Sequence, residues 1–163
     1  MLRGRKKRMR FTDGKTITIR FEEDVIACFD RYRQIKSSDA EAGGQLFARY
    51  SEDEVLVCKA TGPKENDKRG RFFFLPNRKS ERAEIIRNHE DRLHFVGDWH
   101  THPEAVPRPS WEDLTSIQNC YRESKHSLRY FVMIIVGTAN FPEGLSVSIH
   151  NSTETIFLQD WSP

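Results

Sequence analysis

A run of seven consecutive apolar residues at positions 130–136 constrains the fold of this 163-residue chain more than any other segment. Such a run is typical of a β-strand buried on both faces. A strand of that kind needs packed layers on each side, so we expect other elements against both faces. The length suits one domain with one core, and 37% hydrophobic against 31% charged residues is a globular composition.

Hydrophobic periodicity predicts further elements around this strand. Strands are expected at 15–21, 43–50, 54–60, 71–75, 93–100, 145–149 and 154–158, and helices from 22, at 80–92 and from 110. We expect Ala83, Ile86 and His89 to face inward on the second helix, and Trp111 to lie on the apolar side of the third. The pattern predicts an α/β fold: a single domain with a mixed, mostly antiparallel sheet flanked by about three helices.

The first ten residues are strongly basic, with six Lys or Arg and no acid, whereas the remaining chain has four more acidic than basic residues. We assign residues 1–14 to a basic N-terminal arm and residues 15–163 to the domain. The arm is either a solvated tail, which is the simpler interpretation, or a contact to nucleic acid or an acidic partner. We do not expect nucleic acid as the partner.

Other features of the sequence concern the cellular compartment. No apolar run reaches the length of a membrane span, and no apolar segment follows the basic N-terminus as in a secretory signal. The three cysteines are widely spaced and form no Cys-x-x-Cys pair. These features predict a soluble, cytoplasmic protein with reduced thiols and no membrane partner.

The segment 100–113 contains residues with the chemistry of a metal site. His100 and His102 are two positions apart at the expected end of a strand, so their side chains point the same way. Asp113 lies on the first turn of the next helix, beyond a proline-rich loop that brings it back to the strand end. Zinc favours imidazole and carboxylate ligands, and a catalytic zinc keeps one position open for water. We predict one Zn²⁺ bound by His100, His102 and Asp113, with a catalytic water.

Two further residues complete a hydrolytic site. Ser110 shares a helix face with Asp113, so its hydroxyl is suited to stabilising a developing oxyanion. Glu41 lies upstream and is the candidate general base, and Gly43 and Gly44 let the backbone pass close beneath the site.

Each of these features also has a structural interpretation. Ser110 and Asp113 match a helix capping box, which is compatible with metal binding. His100 and His102 match a surface pair, and Glu41 matches an acid in a turn. The other four histidines are scattered, and we expect them to be structural or exposed: His89, His94, His126 and His150.

Other zinc motifs fit poorly. No His-Glu-x-x-His helix is present. The metallo-β-lactamase pattern would need Asp and His where Glu104 and Ala105 stand.

The spacing His-x-His-x7-Ser-x2-Asp, with an upstream glutamate, resembles the JAMM motif of the JAB1/MPN/Mov34 metalloprotease family. The resemblance implies a JAB/MPN domain of cytidine-deaminase-like architecture. It also implies zinc-dependent hydrolysis of isopeptide or peptide bonds at the C-terminus of ubiquitin or ubiquitin-like proteins. The family's zinc ligands correspond to His100, His102 and Asp113, its base to Glu41 and its oxyanion-stabilising serine to Ser110.

The compact chain is similar to small bacterial JAB proteins encoded beside E1- and E2-like proteins, some of them in anti-phage CBASS operons. This resemblance implies a deconjugating or precursor-processing peptidase whose substrates are ubiquitin-like or E1/E2-linked protein conjugates. The alternative is a non-catalytic MPN-type module that binds a partner protein, since some family members lack the ligands. A metal-dependent nuclease is a third hypothesis, prompted by the basic arm, but such sites usually contain more carboxylates.

Overall fold

A computed structural model describes residues 8–161 of the chain. It contains three helices: α1 (Glu23–Arg31), α2 (Arg78–Glu90) and α3 (Trp111–Glu123). The ten strands are β1 (Arg10–Thr12), β2 (Thr18–Phe21), β3 (Gly43–Tyr50), β4 (Glu54–Ala60), β5 (Lys68–Gly70), β6 (Phe73–Leu75), β7 (His94–Thr101), β8 (Phe131–Val136), β9 (Leu145–His150) and β10 (Thr155–Asp160). Within residues 8–161, no helix combines the length and the apolar character that crossing a bilayer requires.

Eight strands form a closed barrel in the order β1-β10-β9-β8-β7-β3-β4-β2, and β5 and β6 form a separate two-stranded sheet. The prediction of a sheet flanked by helices is therefore wrong, although three helices are present and most strand pairs are antiparallel. The parallel pairs are β2 with β4 and β7 with β8. Closure pairs the edges that an open sheet would leave exposed.

The short strand β1 closes the barrel because it pairs with strands from both ends of the chain. Phe11 lies opposite Asp160 of β10 on one side and Ile19 of β2 on the other. The sequence pattern did not reveal β1, because three residues are too few to show a period. It lies within the segment assigned to the basic arm, of which residues 1–7 fall outside the described residues. Arg8, the first described residue, pairs with Glu22 at 3.0 Å.

The apolar segment that predicted a doubly buried strand forms β8, and all six of its residues are buried. Val132, Ile134 and Val136 belong to the main hydrophobic core. The alternate residues belong to a second core, where Ile117 of α3 packs against them: Phe131, Met133 and Ile135. The two faces of β8 therefore separate the barrel interior from the layer beneath α3, and this prediction is confirmed.

The face that α2 buries differs from the predicted one. Ala83, Ile86 and His89 are exposed, and the buried residues are Glu84 and Asn88. Asn88 donates to the Glu84 carboxylate at 3.0 Å. Three cations also pair with this carboxylate: Lys59, Lys64 and Arg87. Lys59 of β4 and Lys64 of the loop after it face α2, so this helix is held by ion pairs and hydrogen bonds rather than by an apolar stripe.

The exposure of Trp111, at the start of α3, also differs from the prediction. Trp111 is 78% exposed, whereas Ile117, two turns later, is buried. The first turn of α3 therefore lies over a groove, and only the later turns pack against β8.

A glycine determines which way β7 presents its side chains. Gly97 has φ +151°, and a Cβ there would collide with the carbonyl oxygen of Val132 on the neighbouring strand. The pairing of β3 with β7 shifts register next to it. Val96 and Trp99 consequently both lie in the barrel core, while Phe95 packs in the second core beneath α3. An irregularity of this kind changes the face on which later residues emerge.

Candidate metal centre

His100 and His102 stand at the end of β7, where the strand lies between β3 and β8. His100 is opposite Gly43 of β3, and the backbone N–H of His102 donates to the carbonyl of Val136 at 2.9 Å. Their Nε2 atoms are 3.2 Å apart. The strand geometry therefore brings the two imidazoles to one point, as the sequence predicted.

Thr101, between the two histidines, faces the opposite side and is fully buried. Its hydroxyl accepts a hydrogen bond from the Ala42 backbone N–H at 3.0 Å and donates to Gln34 Oε1 at 2.8 Å. Gln34 in turn donates to the Arg71 carbonyl at 2.9 Å. This buried network fixes the strand end that carries both histidines. Sequence reasoning missed it, and the inward position of Thr101 in a strand was the available signal.

Asp113 both caps helix α3 and contacts the two histidines. Ser110 Oγ accepts a hydrogen bond from the Asp113 backbone N–H at 3.0 Å, and Asp113 Oδ2 accepts one from the Ser110 backbone N–H at 2.8 Å. This reciprocal pair is a capping box at the start of α3. The same carboxylate places Oδ1 3.1 Å from His100 Nε2 and Oδ2 3.3 Å from His102 Nε2. The helix cap therefore holds Asp113 against the histidines.

The three side chains fit a zinc ion. In a tetrahedral shell with ligand bonds of 2.0–2.1 Å, neighbouring donor atoms lie about 3.3 Å apart. His100 Nε2 lies 3.2 Å from His102 Nε2 and 3.1 Å from Asp113 Oδ1, and His102 Nε2 lies 3.3 Å from the other carboxylate oxygen, Asp113 Oδ2. Two imidazoles and one carboxylate are also the donor types of an open, catalytic zinc site. The predicted ligand set is thus compatible with zinc in both chemistry and spacing.

Glu104 supports the same conclusion from the far side of His102. Its Oε1 lies 3.0 Å from His102 Nδ1 and also accepts a hydrogen bond from the Arg108 backbone N–H at 3.1 Å. Histidines that bind metals usually donate their second nitrogen to a carboxylate or carbonyl, which fixes the ring. Glu104 therefore orients His102 so that Nε2 faces Asp113. The sequence had indicated this role for Glu104 by no motif.

The carboxylates also control the charge of the site. Burial lowers the pKa of His102, but hydrogen bonds to Asp113 and Glu104 outweigh burial and raise it to about 9. Burial raises the pKa of Asp113, but its hydrogen bonds to His100 and His102 dominate and hold it well below the usual range. The site therefore concentrates negative charge around the imidazoles, as a site for a cation requires.

Glu41 lies on the other side of the histidine pair. It is buried, immediately before β3, and its backbone N–H donates to the Gly70 carbonyl at 2.7 Å. A carboxylate oxygen of Glu41 and nitrogens of His100 and His102 all lie within 4.8 Å of one another. Glu41 is thus close enough to be an alternative ligand. The shorter contacts of Asp113 with both Nε2 atoms favour Asp113 as the third ligand.

The electrostatic surroundings of Glu41 suit a base. Burial raises the pKa of its carboxyl group, His100 and His102 lower it, and Asp113 raises it again. A buried carboxylate of raised pKa takes up a proton more readily than an exposed one.

All five predicted site residues line one groove of about 700 Å³: Glu41, His100, His102, Ser110 and Asp113. The hairpin of β5 and β6 forms one wall, with exposed Phe72, Phe73 and Leu75. Gly43 allows this wall to approach, because a Cβ there would lie 2.7 Å from the Phe74 ring. The sequence predicted a single strand at 71–75, whereas the structure has a hairpin of β5 and β6.

Curated relatives carry names that describe peptidases. A "CD-NTase/cGAS isopeptidase" of Pseudomonas aeruginosa is 30% identical over 128 residues, which cover 77% of this chain and 80% of that protein. A protein of the same name from Enterobacter hormaechei is 31% identical over 63% of this chain and 58% of its own length. A "Probable metalloprotease y4qB" of Sinorhizobium fredii is 32% identical over 60% of this chain and 63% of its own length. The chain thus spans less than two thirds of the latter two.

Solved structures agree with the fold. Protein DSY2949 of Desulfitobacterium hafniense superimposes with a TM-score of 0.58 at 17% identity, covering 84% of this chain and 87% of that one. A protein of Salinibacter ruber gives a TM-score of 0.51 at 19% identity, covering 84% and 86%.

Residues 31–150 match the family described as prokaryotic homologs of the JAB domain. The match contains the whole of the groove and both of the segments that carry the predicted site residues. It confirms the family resemblance that the motif spacing indicated. The chain belongs to the prokaryotic homologs of the JAB domain.

Proposed function

We propose that this protein is a zinc-dependent isopeptidase or peptidase that cleaves after the C-terminus of a conjugated protein, as part of bacterial anti-phage defence. The observation that carries the proposal is the convergence of two imidazole Nε2 atoms and the Asp113 carboxylate to within 3.1–3.3 Å of one another. The names of the relatives, isopeptidase and probable metalloprotease, support the reaction class.

In this proposal His100, His102 and Asp113 hold the zinc ion. Zinc supplies a Lewis acid that polarises the scissile carbonyl and makes water a better nucleophile near neutral pH. Glu41 takes the proton from the attacking water and delivers it to the leaving amine nitrogen. Its burial beside the histidines keeps it within reach of both proton transfers.

Ser110 supplies a hydrogen bond to the oxygen that becomes negatively charged as the carbonyl turns tetrahedral. Its Oγ accepts from the Asp113 backbone, and this leaves its own proton available for donation. The Ser110 hydroxyl is exposed in the groove, at the N-cap of α3 and three residues before Asp113. A donor fixed in advance by a helix cap needs little reorganisation during the reaction.

The substrate side of the proposal rests on the names of relatives and on the shape of the groove. An isopeptidase acts on a protein joined to an amine, so we propose ubiquitin-like or E1/E2-linked conjugates as substrates. The sheet of β5 and β6 is separate from the barrel and borders the groove. An extended substrate tail lying along it would be held through its main chain.

The proposal is tested with a Glu41→Gln variant, which keeps the size of the side chain but removes its ability to take a proton. We expect zinc content to stay at one ion per chain while cleavage falls by about 10²–10⁴-fold. Glu112→Gln is the matched control, since Glu112 is an exposed carboxylate in the same groove. Conjugates that accumulate with Glu41→Gln, identified by mass spectrometry, would supply the substrate for the assay.

Two outcomes contradict the proposal. Full activity of Glu41→Gln would remove Glu41 from the mechanism. Zinc-loaded wild-type protein that binds the accumulated conjugates without cleaving them would instead favour the non-catalytic binding module.

A further inference from the structure

Two buried oxygens beneath α2 have no use in the proposed mechanism. Gln45 of β3 and Asp98 of β7 are directly opposite each other across the strand pair. Gln45 is only 2% exposed, and its side-chain N–H donates to the Glu81 carbonyl at 3.1 Å. Among residues 8–161, neither Gln45 Oε1 nor Asp98 Oδ1 has a hydrogen-bond partner. Unpartnered buried acceptors are uncommon and costly, so a pair of them side by side calls for an explanation.

Both residues line a cavity of about 770 Å³ between α2 and α3. Its other walls mix polar and apolar residues, and the apolar part includes the side chains of Phe95, Leu128 and Phe131. A ligand with an apolar body and a tip that donates hydrogen bonds would match both this apolar part and the two free oxygens.

The charges around this cavity favour a cationic tip. Asp98 and Glu81 lie inside, and the Glu81 side chain is only 18% exposed. The basic residues of the lining, Arg78, Arg82 and Lys125, are all exposed at its rim. Arg78 pairs with Glu81 at 3.9 Å, so Asp98 is the enclosed carboxylate left for a ligand. Burial and the neighbouring Glu81 raise the pKa of Asp98 to about 7, and a bound cation would favour its charged form.

The cavity adjoins the catalytic groove. Four residues line both spaces and form the boundary between them: Arg78, Glu81, Asp98 and Cys120. Asp98 and His100 are two residues apart on β7, which corresponds to about 7 Å along a strand. A substrate side chain that enters the cavity therefore belongs to a residue close to the scissile bond.

We propose that Asp98 and Gln45 form the floor of a specificity subsite that takes a basic side chain, lysine or arginine, of a substrate residue within about two positions of the scissile bond. The apolar walls hold the methylene stem, and the two free oxygens accept N–H bonds from the charged tip. This inference rests on the proposed peptidase function for its biological use, but the binding itself can be measured without catalysis.

The binding test uses two small probes and the zinc-loaded full chain. N-acetyl-arginine amide and the uncharged N-acetyl-norleucine amide are titrated into ¹⁵N-labelled protein, and amide shifts of β3 and β7 are followed. We expect the arginine probe to bind at least about tenfold more tightly than the norleucine probe, because only the former satisfies the floor oxygens. Equal binding of the two probes, or no binding of either, would overturn the subsite.

Variants locate the binding. Asp98→Asn should weaken the arginine probe by about tenfold and leave the norleucine probe unchanged, since one charge-assisted hydrogen bond is lost. Glu81→Gln gives an independent, smaller loss if Asp98→Asn does not fold. Glu143→Gln, an exposed carboxylate outside both cavities, is the control. Wild-type affinity in both Asp98→Asn and Glu81→Gln would contradict the assignment.

A cleavage experiment separates this inference from the proposed function. Matched conjugates with arginine or norleucine near the bond should differ mainly in KM, and Asp98→Asn should abolish the difference. Glu41-dependent cleavage without any preference for arginine would overturn the subsite and leave the peptidase standing. Arginine binding without any cleavage would support the subsite and overturn the proposed peptidase function.

Discussion

His102 at the end of β7 and His150 in β9 have opposite electrostatic surroundings, although burial disfavours the charged form of both. His102 contacts the carboxylates of Asp113 and Glu104, and these raise its pKa to about 9. His150 lies 2.8 Å from Ser148 Oγ and 2.9 Å from Thr155 Oγ1. With only hydroxyl partners, burial lowers the pKa of His150 to about 4.

The difference between the two sites teaches that neighbours, rather than the residue type, decide what a histidine does. Carboxylates at the β7 end compensate a positive charge, whether it is a proton or a metal ion. The hydroxyls around His150 satisfy a neutral imidazole and offer no compensation, so His150 is a structural residue of the barrel wall. The scattered position of His150 in the sequence had indicated the structural or exposed alternative, and its burial decides between them.

The largest expected effect is on zinc affinity, which should depend on His102 and not on His150. His102→Ala should weaken zinc binding by roughly a hundredfold or more, because it removes one of three protein ligands and a bond worth about 3 kcal/mol. His150→Ala should leave zinc affinity unchanged while lowering the unfolding free energy. Competition against a zinc chelator measures the first quantity and urea denaturation the second. Equal zinc affinity of His102→Ala and wild type would exclude His102 as a ligand.

A second prediction concerns the pH dependence of stability. The folded pKa of His150, about 4, lies below the ordinary histidine value of 6.5, so its neutral form stabilises the fold fully above pH 6.5. That contribution is lost as the pH falls through 6.5 towards 4, because the unfolded chain then binds the proton first. At pH 5 the loss is about 2 kcal/mol. Urea denaturation at pH 7.5 and pH 5 should show a smaller change for His150→Gln than for wild type, and identical changes would contradict this.

The smallest expected effect sharpens the role of the carboxylate neighbours. Glu104→Ala should weaken zinc binding by about tenfold, since His102 loses the partner that fixes its ring. Glu104→Gln should fall between this variant and wild type, because its Oε1 can still accept from His102 Nδ1. Chelator competition on both variants, with Glu112→Gln as the exposed control, makes the measurement. A Glu104→Ala affinity equal to wild type would show that the loop alone holds His102.

Much of the site was predictable because its residues obey local rules. The two histidines alternate on a strand, and Ser110 and Asp113 form a helix cap whose spacing is fixed by the helix. The strands 43–50 and 54–60 were predicted with the bounds that the structure gives them. Closure by β1 was not predictable, because it depends on pairing between residues about 150 positions apart in the chain.

The buried face of α2 was also out of reach from periodicity. Glu84 and Asn88 are polar residues on a polar helix, and only the lysines of β4 and of the loop after it make burial of that face favourable. The position of Asp98 directly opposite Gln45 depends in the same way on how two strands pair.

The sequence by itself determined the donor chemistry that the chain offers to a metal ion, because the residue types and their spacing along one strand and one helix turn are local properties. The tertiary structure decided how that chemistry is used. It brought Glu41 beside the histidines, placed Glu104 behind His102 and left two oxygens unpartnered beneath α2. Glu41 and the histidines, like Gln45 and Asp98, are far apart in sequence, and only the packing of the closed barrel fixes the distances between them.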